Sequence, residues 1–211
     1  MTREYELRFE VNDYDLLIKK LNKFGAKNNG FLLQTNSAYY KEGEPKLKVR
    51  IRSEGLKHLL TIKIVGDKYP IEEEIEISDP KKTEKILFNL GCKFERTNQK
   101  LRESYSKGNV NFDIDFYPGA IPILEIEAKS EKKLIETYTE LGLTPKKITT
   151  ISLYKDRYDY EIPFDKNYDF QYVKKIKVNK NKEEFKKNLK FQFKVIDKIK
   201  KSKNKCYIHL I

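Results

Sequence analysis

The sequence predicts an α+β protein built on an antiparallel β-barrel with helices packed on its outside. Six to eight segments alternate apolar and charged residues with the period of two that is typical of strands. Three other segments carry a single apolar stripe at helical spacing, and such helices need an apolar sheet face to cover. The charged strand faces would then line a lumen. A flat α+β sheet whose charged face meets solvent is the alternative that this pattern leaves open.

The first predicted strand shows the alternation most clearly. Glu4, Glu6 and Arg8 lie two residues apart, so their side chains share one face of a strand. Tyr5 and Leu7 alternate with them and supply the apolar face. The same arrangement, with charges of both signs on one face, recurs down the chain.

The other strands and the helices are predicted from alternation and from capping signals. The remaining strands are expected at Phe31–Tyr40, Lys46–Arg52, Leu59–Val65, Ile71–Ile77, Gln99–Tyr105, Asn109–Phe116 and Ile123–Ala128. Three helices are expected to begin at Asn12 or Asp13, at Ser78-Asp79-Pro80 and at Ser130, and to end at Gly25, Gly91 and Gly142.

The charged strand faces together would crowd a lumen with both signs of charge. The acidic set is Glu4, Glu6, Glu72, Glu74, Glu76, Asp113, Asp115, Glu125 and Glu127. The basic set is Arg8, Lys48, Arg50, Arg52, Lys63, Lys100 and Arg102. Unpaired buried charges cost several kcal/mol each, so this lumen is reasonable only if water, metal ions and a polyanion fill it. Arg and Lys pair with phosphate oxygens, and carboxylates hold Mg²⁺ or Mn²⁺.

Several segments in order resemble the CYTH, or triphosphate tunnel metalloenzyme, superfamily. They are Glu4-x-Glu6-x-Arg8, Lys48-Val49-Arg50-Ile51-Arg52, Leu60-Thr61-Ile62-Lys63, Asp113-Ile114-Asp115, Pro118-Gly119 and Leu124-Glu125-Ile126-Glu127. The resemblance covers about residues 1–160. It differs at Arg8, where the family pattern has Lys, and at Tyr69-Pro70-Ile71, where an arginine is often found.

The resemblance implies a closed eight-stranded tunnel that holds a triphosphate and the divalent metal Mg²⁺ or Mn²⁺. The implied metal ligands are Glu4, Glu6, Asp115, Glu125 and Glu127. The implied triphosphate-binding residues are Arg8, Lys48, Arg50, Arg52, Lys63, Lys100 and Arg102. The implied catalytic residues are Glu4, Glu6, Arg8, Glu74 and Glu76.

Three functions fit this set of residues. The first is a metal-dependent triphosphatase acting on inorganic triphosphate or on a nucleoside, RNA or thiamine triphosphate. The second is a class IV-type adenylyl cyclase, in which the same metals would activate a ribose hydroxyl. The third is a tunnel that binds polyphosphate or an RNA 5′ end without catalysis, which the replacement of Lys by Arg8 leaves open.

The basic character of the chain is concentrated at its C-terminal end. Residues 165–211 contain 15 Lys against five Asp and Glu, which accounts for +10 of the net charge of +12. We therefore predict a tunnel domain over 1–164 and a Lys-rich extension over 165–211. The extension is expected to be extended at Phe170–Val178 and helical at Lys182–Lys203, with an apolar stripe that packs on the barrel. Its lysines could guide a polyanion such as RNA or meet an anionic membrane.

Composition limits the cellular compartments and the kinds of metal site that are expected for this chain. The sequence has no run of about 18 apolar residues, so no transmembrane helix is expected. Glu4 and Glu6 fall where a signal peptide would need apolar residues. Cys92 and Cys206 do not make a disulfide framework, which indicates a reducing, cytoplasmic setting. With two His residues, a His-rich metal site is not expected.

Overall fold

The computed structural model describes residues 2–3, 5–66, 69–146, 148–162 and 167–202. The strands within these ranges are β1 (Thr2–Arg3), β2 (Tyr5–Glu10), β3 (Lys27–Lys41), β4 (Leu47–Glu54), β5 (Lys57–Ile64), β6 (Ile71–Glu76), β7 (Cys92–Lys107), β8 (Val110–Phe116) and β9 (Ile123–Ala128). The helices are α1 (Tyr14–Phe24), α2 (Pro80–Asn89), α3 (Glu131–Glu140), α4 (Thr150–Tyr158), α5 (Phe170–Val173) and α6 (Lys182–Lys201). None of these helices has the length and apolar content needed to cross a bilayer.

The strands form one antiparallel curled sheet in the order β1-β6-β5-β4-β3-β7-β8-β9-β2. Both ends of this order come from the N-terminal segment, because β1 pairs with β6 and β2 pairs with β9. Counting β1 and β2 as two parts of one strand gives eight strands, which confirms the predicted α+β fold. Glu4, which separates the two parts, lies outside the described residues. Closure of the barrel at that point therefore stays a prediction.

The main core lies between the outer face of the sheet and helices α1, α3 and α6. Strand alternation sends Phe112 and Ile114 outward into this core, where both are fully buried, while Asp113 between them faces inward. Leu21 from α1 and Leu134 from α3 pack against the same cluster. The helices thus cover the apolar faces of β2, β8 and β9, whereas Ile62 on β5 and Ile75 on β6 are exposed.

Helix α6 completes this core with the apolar stripe predicted for it. Val195, Ile196 and Ile199 are buried in the main cluster. Phe185 lies against Gly119, which has φ +76°, and an added Cβ at that glycine would come within 2.4 Å of the Phe185 ring. The helix is therefore fitted closely to the turn that follows β8. The division into 1–164 and 165–211 stays a prediction, although the two parts share core clusters.

The segment before α6 differs from the prediction. Phe170–Val173 is helical, so the extended structure predicted over Phe170–Val178 is wrong in its first four residues. The reason is local: the Asp169 carboxylate accepts hydrogen bonds from the backbone N–H groups of Gln171 and Tyr172 and caps a short helix. Tyr168, which lies just before this short helix, forms a β-bridge with Asn98 on β7.

Candidate functional site

A cavity of about 640 Å³ lies inside the curled sheet. It is lined by twelve of the charged residues predicted for a lumen: Glu6, Arg8, Arg50, Arg52, Lys63, Glu72, Glu74, Lys100, Arg102, Asp113, Glu125 and Glu127. These side chains come from seven strands, β2 and β4–β9, and strand alternation turns them all to the inner face. The charged faces thus form one site within the protein.

Three of the predicted residues in the described part of the chain do not line the cavity. Lys48 and Glu76 lie next to the ends of β4 and β6 and are exposed at the rim of the sheet. Asp115 is fully buried behind the cavity wall, where Lys100 and Arg102 occupy both of its oxygens. The metal-ligand role of Asp115 stays a prediction. Glu4 lies outside the described residues.

A compact ion-pair network around Arg102 forms one wall of the cavity. Arg102 Nη1 lies 2.6 Å from Asp113 Oδ2, and its Nη2 lies 2.6 Å from Glu125 Oε2. Its Nε donates to Asp115 Oδ1 at 2.6 Å, and Lys100 Nζ contacts the other oxygen of Asp115. Burial opposes ionisation of Glu125, but Lys100, Arg8 and Arg102 outweigh it and hold the pKa of Glu125 well below its usual value. This wall is already neutralised.

Arg8 extends the network to the N-terminal strand. Register pairs Arg8 with Glu125 across β2 and β9, and Arg8 Nη2 lies 2.7 Å from Glu125 Oε1. Its Nε donates to Glu6 Oε1 at 3.2 Å. The Glu125 charge raises the pKa of Arg8 against the opposing effect of burial. Arg8 is therefore a fixed cation on the inner face.

Arg50 and Arg52 on β4 are less well neutralised. The Nε atoms of both are buried without a hydrogen-bond acceptor among the described residues. Their contacts with carboxylates are long: Arg50 Nη2 to Glu72 Oε1 is 3.3 Å and Arg52 Nη2 to Glu74 Oε2 is 3.7 Å. Burial and the neighbouring Arg52 charge lower the pKa of Arg50. Two neighbouring guanidinium groups that lack close carboxylate partners are suited to an anion.

Glu6 and Glu127 form a pair of neighbouring carboxylates beside Arg8. They face each other in the register of β2 and β9, and both line the cavity. Burial and the Glu6 charge raise the pKa of Glu127. Two adjacent carboxylates that repel each other suit a divalent cation, which oxygen ligands hold. Over the described ranges no three potential ligands are grouped closely enough to hold a metal, and Glu4, another of the five predicted ligands, is outside them.

Sequence reasoning missed part of the cavity lining: Asn36, Ala38, Arg96, Asn98, Tyr117, Thr149, Thr150, Ile151, Ile162 and Tyr168. Arg96 and Asn98 were missed because β7 was expected to begin at Gln99, whereas it begins at Cys92. Continuing the alternation of Lys100 and Arg102 backwards would have found both. The helix that brings Ile151 to the cavity was not predicted, although Thr149 and Ser152 form a capping box at its start.

The fold and the site define a class of proteins: antiparallel curled sheets with helices outside and an inner face that carries both cations and carboxylates. The family model for the CYTH domain matches residues 2–141, two thirds of the chain. The chain belongs to the CYTH domain family. No curated protein matches the sequence significantly.

Solved structures share the fold at low sequence identity. The PH1012 protein from Pyrococcus horikoshii OT3 is 24% identical with a TM-score of 0.62, covering 71% of this chain and 98% of its own. A candidate adenylate cyclase from Vibrio parahaemolyticus is 14% identical with a TM-score of 0.62, covering 72% and 97%. A candidate adenylate cyclase from Bacillus halodurans is 16% identical with a TM-score of 0.54, covering 72% and 96%. At these identities the similarity shows the fold.

Proposed function

We propose that this protein is a divalent-metal-dependent hydrolase that acts on a triphosphate bound inside the sheet. The observation that carries the proposal is the Arg50–Arg52 pair, whose guanidinium groups line the same cavity as the Glu6–Glu127 pair and make only long contacts with carboxylates. Such a cavity has a place for a polyanion and a place for the cation that accompanies it. CYTH superfamily members act on triphosphates, as triphosphatases or cyclases, and in general depend on divalent metals.

The cations and the carboxylates of the cavity have different roles. Arg50, Arg52 and Lys63 bind phosphate oxygens and neutralise charge that develops during phosphoryl transfer. Glu6 and Glu127 hold Mg²⁺ or Mn²⁺, with Glu4 as a further ligand. When bound, the metal supplies charge neutralisation on the phosphates and polarisation of the attacking water.

The remaining cavity residues orient these groups. Arg8, Lys100 and Arg102 are paired with Glu125, Asp113 and Asp115, so they fix the shape of the inner face. Glu74 accepts a hydrogen bond from Thr61 Oγ1 at 2.7 Å and keeps an oxygen near Arg52. Glu74 lines the cavity, so it is a better candidate for a catalytic carboxylate than Glu76, which is exposed at the rim.

The test is a panel of triphosphates assayed for phosphate, pyrophosphate and cyclic nucleotide with Mg²⁺ and with Mn²⁺. We expect phosphate release from tripolyphosphate or from a nucleoside, RNA or thiamine triphosphate. Cyclic AMP with pyrophosphate from ATP would make the protein an adenylyl cyclase instead. Binding of tripolyphosphate without turnover would make it a binding module. The absence of both binding and turnover would overturn the proposal.

A finer proposal concerns the basic helix α6. Its buried face packs on the core, so its opposite face presents eight exposed lysines: Lys182, Lys186, Lys187, Lys190, Lys194, Lys198, Lys200 and Lys201. The helix contacts the turn after β8, because Gln192 Oε1 accepts from Gly119 N at 2.7 Å and its Nε2 donates to Tyr117 O at 3.0 Å. Tyr117 lines the cavity. We propose that this face guides a polyanion, most simply the 5′ end of an RNA, toward the site.

We expect Lys187→Gln, Lys190→Gln and Lys194→Gln, combined in one variant, to weaken hydrolysis of triphosphate-ended RNA at low salt and to leave tripolyphosphate hydrolysis unchanged. The salt dependence of RNA binding should fall by about 0.7 in log–log slope for each lost phosphate contact. The matched control replaces Lys81, Lys82 and Lys85 on α2, which are also exposed. Equal losses on both substrates, or none on either, would contradict guidance by α6.

A further inference from the structure

Arg96 lines the cavity beside the Arg50–Arg52 pair, and we propose that it is a third guanidinium group of the phosphate site, which faces Arg50 across a hollow left by Ala38. The inference rests on the triphosphate function proposed above and deepens it. It adds a binding residue from outside the predicted set, and it places one phosphate group over the middle of β3.

Strand register sets Arg50 and Arg96 on either side of Ala38. Ala38 on β3 pairs with Arg50 on β4 and with Arg96 on β7. Neighbouring strands lie about 4.8 Å apart, so the backbones of the two arginines are about 10 Å apart. Both side chains project from the concave inner face of the sheet, where they converge. One phosphate group between them can therefore contact both guanidinium groups.

Ala38 keeps the space between the two arginines open. It lines the cavity and is partly exposed there. Its methyl group is smaller than the side chains of Gln34 and Asn36, which precede it on the same face of β3. A guanidinium group binds phosphate oxygens bidentately through its planar set of donors. A hollow with a methyl group at its base and a guanidinium group on each side thus suits an oxyanion.

A β-bulge turns Arg96 into the cavity. The register passes from Ala38 opposite Arg96 to Tyr39 opposite Phe94, so Glu95 is an extra residue on β7. Residues two apart on a regular strand share one face. Here Phe94 instead packs on Tyr39 on the outside of the sheet, with ring centroids 5.8 Å apart, whereas Arg96 lines the cavity. Bulges next to active sites commonly re-aim a side chain in this way.

The bulge residue also orients the guanidinium group of Arg96. Glu95 Oε1 accepts hydrogen bonds from Arg96 Nη2 at 2.8 Å and from Arg96 Nε at 3.2 Å. Both side chains are mostly buried, with 19% of Glu95 and 12% of Arg96 exposed. Because the plane of the guanidinium group is set before a ligand arrives, less conformational entropy is lost on binding.

The cations around Ala38 lie on the wall opposite the carboxylate pair. In the sheet order, β4 and β7 flank β3, and β2 stands four places beyond β3. The eight-stranded sheet curls until both of its ends meet the N-terminal segment, so strands four places apart lie across the lumen from each other. A phosphate group over β3 would therefore have the proposed metal ligands Glu6 and Glu127 on its other side.

The experiment measures tripolyphosphate binding by calorimetry and tripolyphosphate hydrolysis, on the full chain and on Arg96→Met. We expect this substitution to raise the dissociation constant and KM by at least about tenfold, the loss expected for one hydrogen bond to a charged group. The change in kcat should be smaller, because a contact made already in the bound ground state acts on KM. Arg96→Lys keeps the charge and should recover part of the loss.

Two further variants show whether the effect belongs to the hollow. Ala38→Leu fills the space between the arginines and should raise KM while Arg96 is still in place. Lys93→Met is the matched control, because Lys93 lies on the same strand three residues away, is 54% exposed, pairs with Glu42 and does not line the cavity. It should leave KM and the dissociation constant unchanged.

The outcomes separate this inference from the proposed function. Hydrolysis with KM and the dissociation constant unchanged in Arg96→Met overturns the inference and leaves the triphosphatase intact. Equal losses in Arg96→Met and Arg96→Lys, or in Lys93→Met, overturn it too, since they would reflect packing or general charge. If the wild type binds tripolyphosphate without hydrolysing it, the proposed function fails, and weaker binding by Arg96→Met still supports the inference. If the wild type does not bind tripolyphosphate, both fail.

Discussion

We expect Glu127→Gln and Glu6→Gln each to lower triphosphate hydrolysis by at least about a hundredfold, the loss typical of removing one charge-stabilising group from an active site. Both substitutions keep the size of the side chain but remove the negative charge that would hold the metal. Because Glu6 and Glu127 face each other across β2 and β9, loss of either breaks the pair. The measurement is steady-state turnover with Mg²⁺ and Mn²⁺, together with Mn²⁺ affinity.

Glu127→Gln should also stabilise the metal-free protein. Burial and Glu6 raise the pKa of Glu127, so the folded protein holds that proton more tightly than the unfolded chain does. Ionised Glu127 therefore costs stability at pH above its raised pKa, and the cost disappears as the pH falls below the usual pKa of a glutamate. Glu127→Gln should thus be more stable than the wild type at neutral pH and equal to it in acid. Urea unfolding at the two pH values checks this.

Glu136→Gln is the control for both measurements, because Glu136 is half-exposed on α3 and pairs only loosely, at 3.9 Å, with Lys133. It should change neither turnover nor the pH dependence of stability. If Glu6→Gln and Glu127→Gln retain near-wild-type turnover, neither carboxylate holds the metal. If Glu127→Gln loses turnover without gaining stability, the two charges do not repel each other in the metal-free protein.

Alternation alone was enough to predict which faces of the strands meet. Glu6 and Glu127 are 121 positions apart in sequence, yet each has the strand parity that turns it inward, and the structure places both in the cavity. Alternation says nothing about where a strand stops. Lys48 and Glu76 have the same parity but lie at the rim and are exposed.

Pairing within the site depends on register between distant strands, which the sequence does not reveal. Arg102 and Arg52 look equivalent as cations on alternating strands. The register of β7 with β8 places Arg102 opposite Asp115, where it is neutralised. Arg52 lies opposite Asn36 on β3 and keeps a spare donor. Tyr168 was missed for a related reason, since it reaches the cavity through a single bridge rather than a strand.

The second large effect is expected from Arg102→Met, which should destabilise the fold by about 3–5 kcal/mol at neutral pH, as does removal of one partner from other buried ion pairs. Methionine fills a similar volume without charge, and it leaves Asp113, Asp115 and Glu125 with less compensation. Lys100 and Arg8 still contact two of these groups.

The loss of stability caused by Arg102→Met should depend on pH. Arg102 contributes, after Lys100 and Arg8, to holding the pKa of Glu125 well below its usual value, and it opposes the burial that raises the pKa of Asp113. Without it, protons bind the folded protein more readily, and each proton bound removes an uncompensated charge. The stability difference between wild type and variant should therefore shrink as the pH falls, which urea unfolding from neutral to mildly acid pH measures.

Two further variants show whether charge or packing causes the loss of stability in Arg102→Met. Arg96 also lines the cavity and its side chain is 12% exposed, as that of Arg102 is, but its ion-pair partner Glu95 is 19% exposed whereas Asp115 is fully buried. Arg96→Met should cost much less. Asp115→Asn added to Arg102→Met should recover part of the loss, because it removes the carboxylate that Arg102 contacts twice. Equal losses for the two arginines, or no recovery in the double variant, would mean that packing rather than charge holds this wall together.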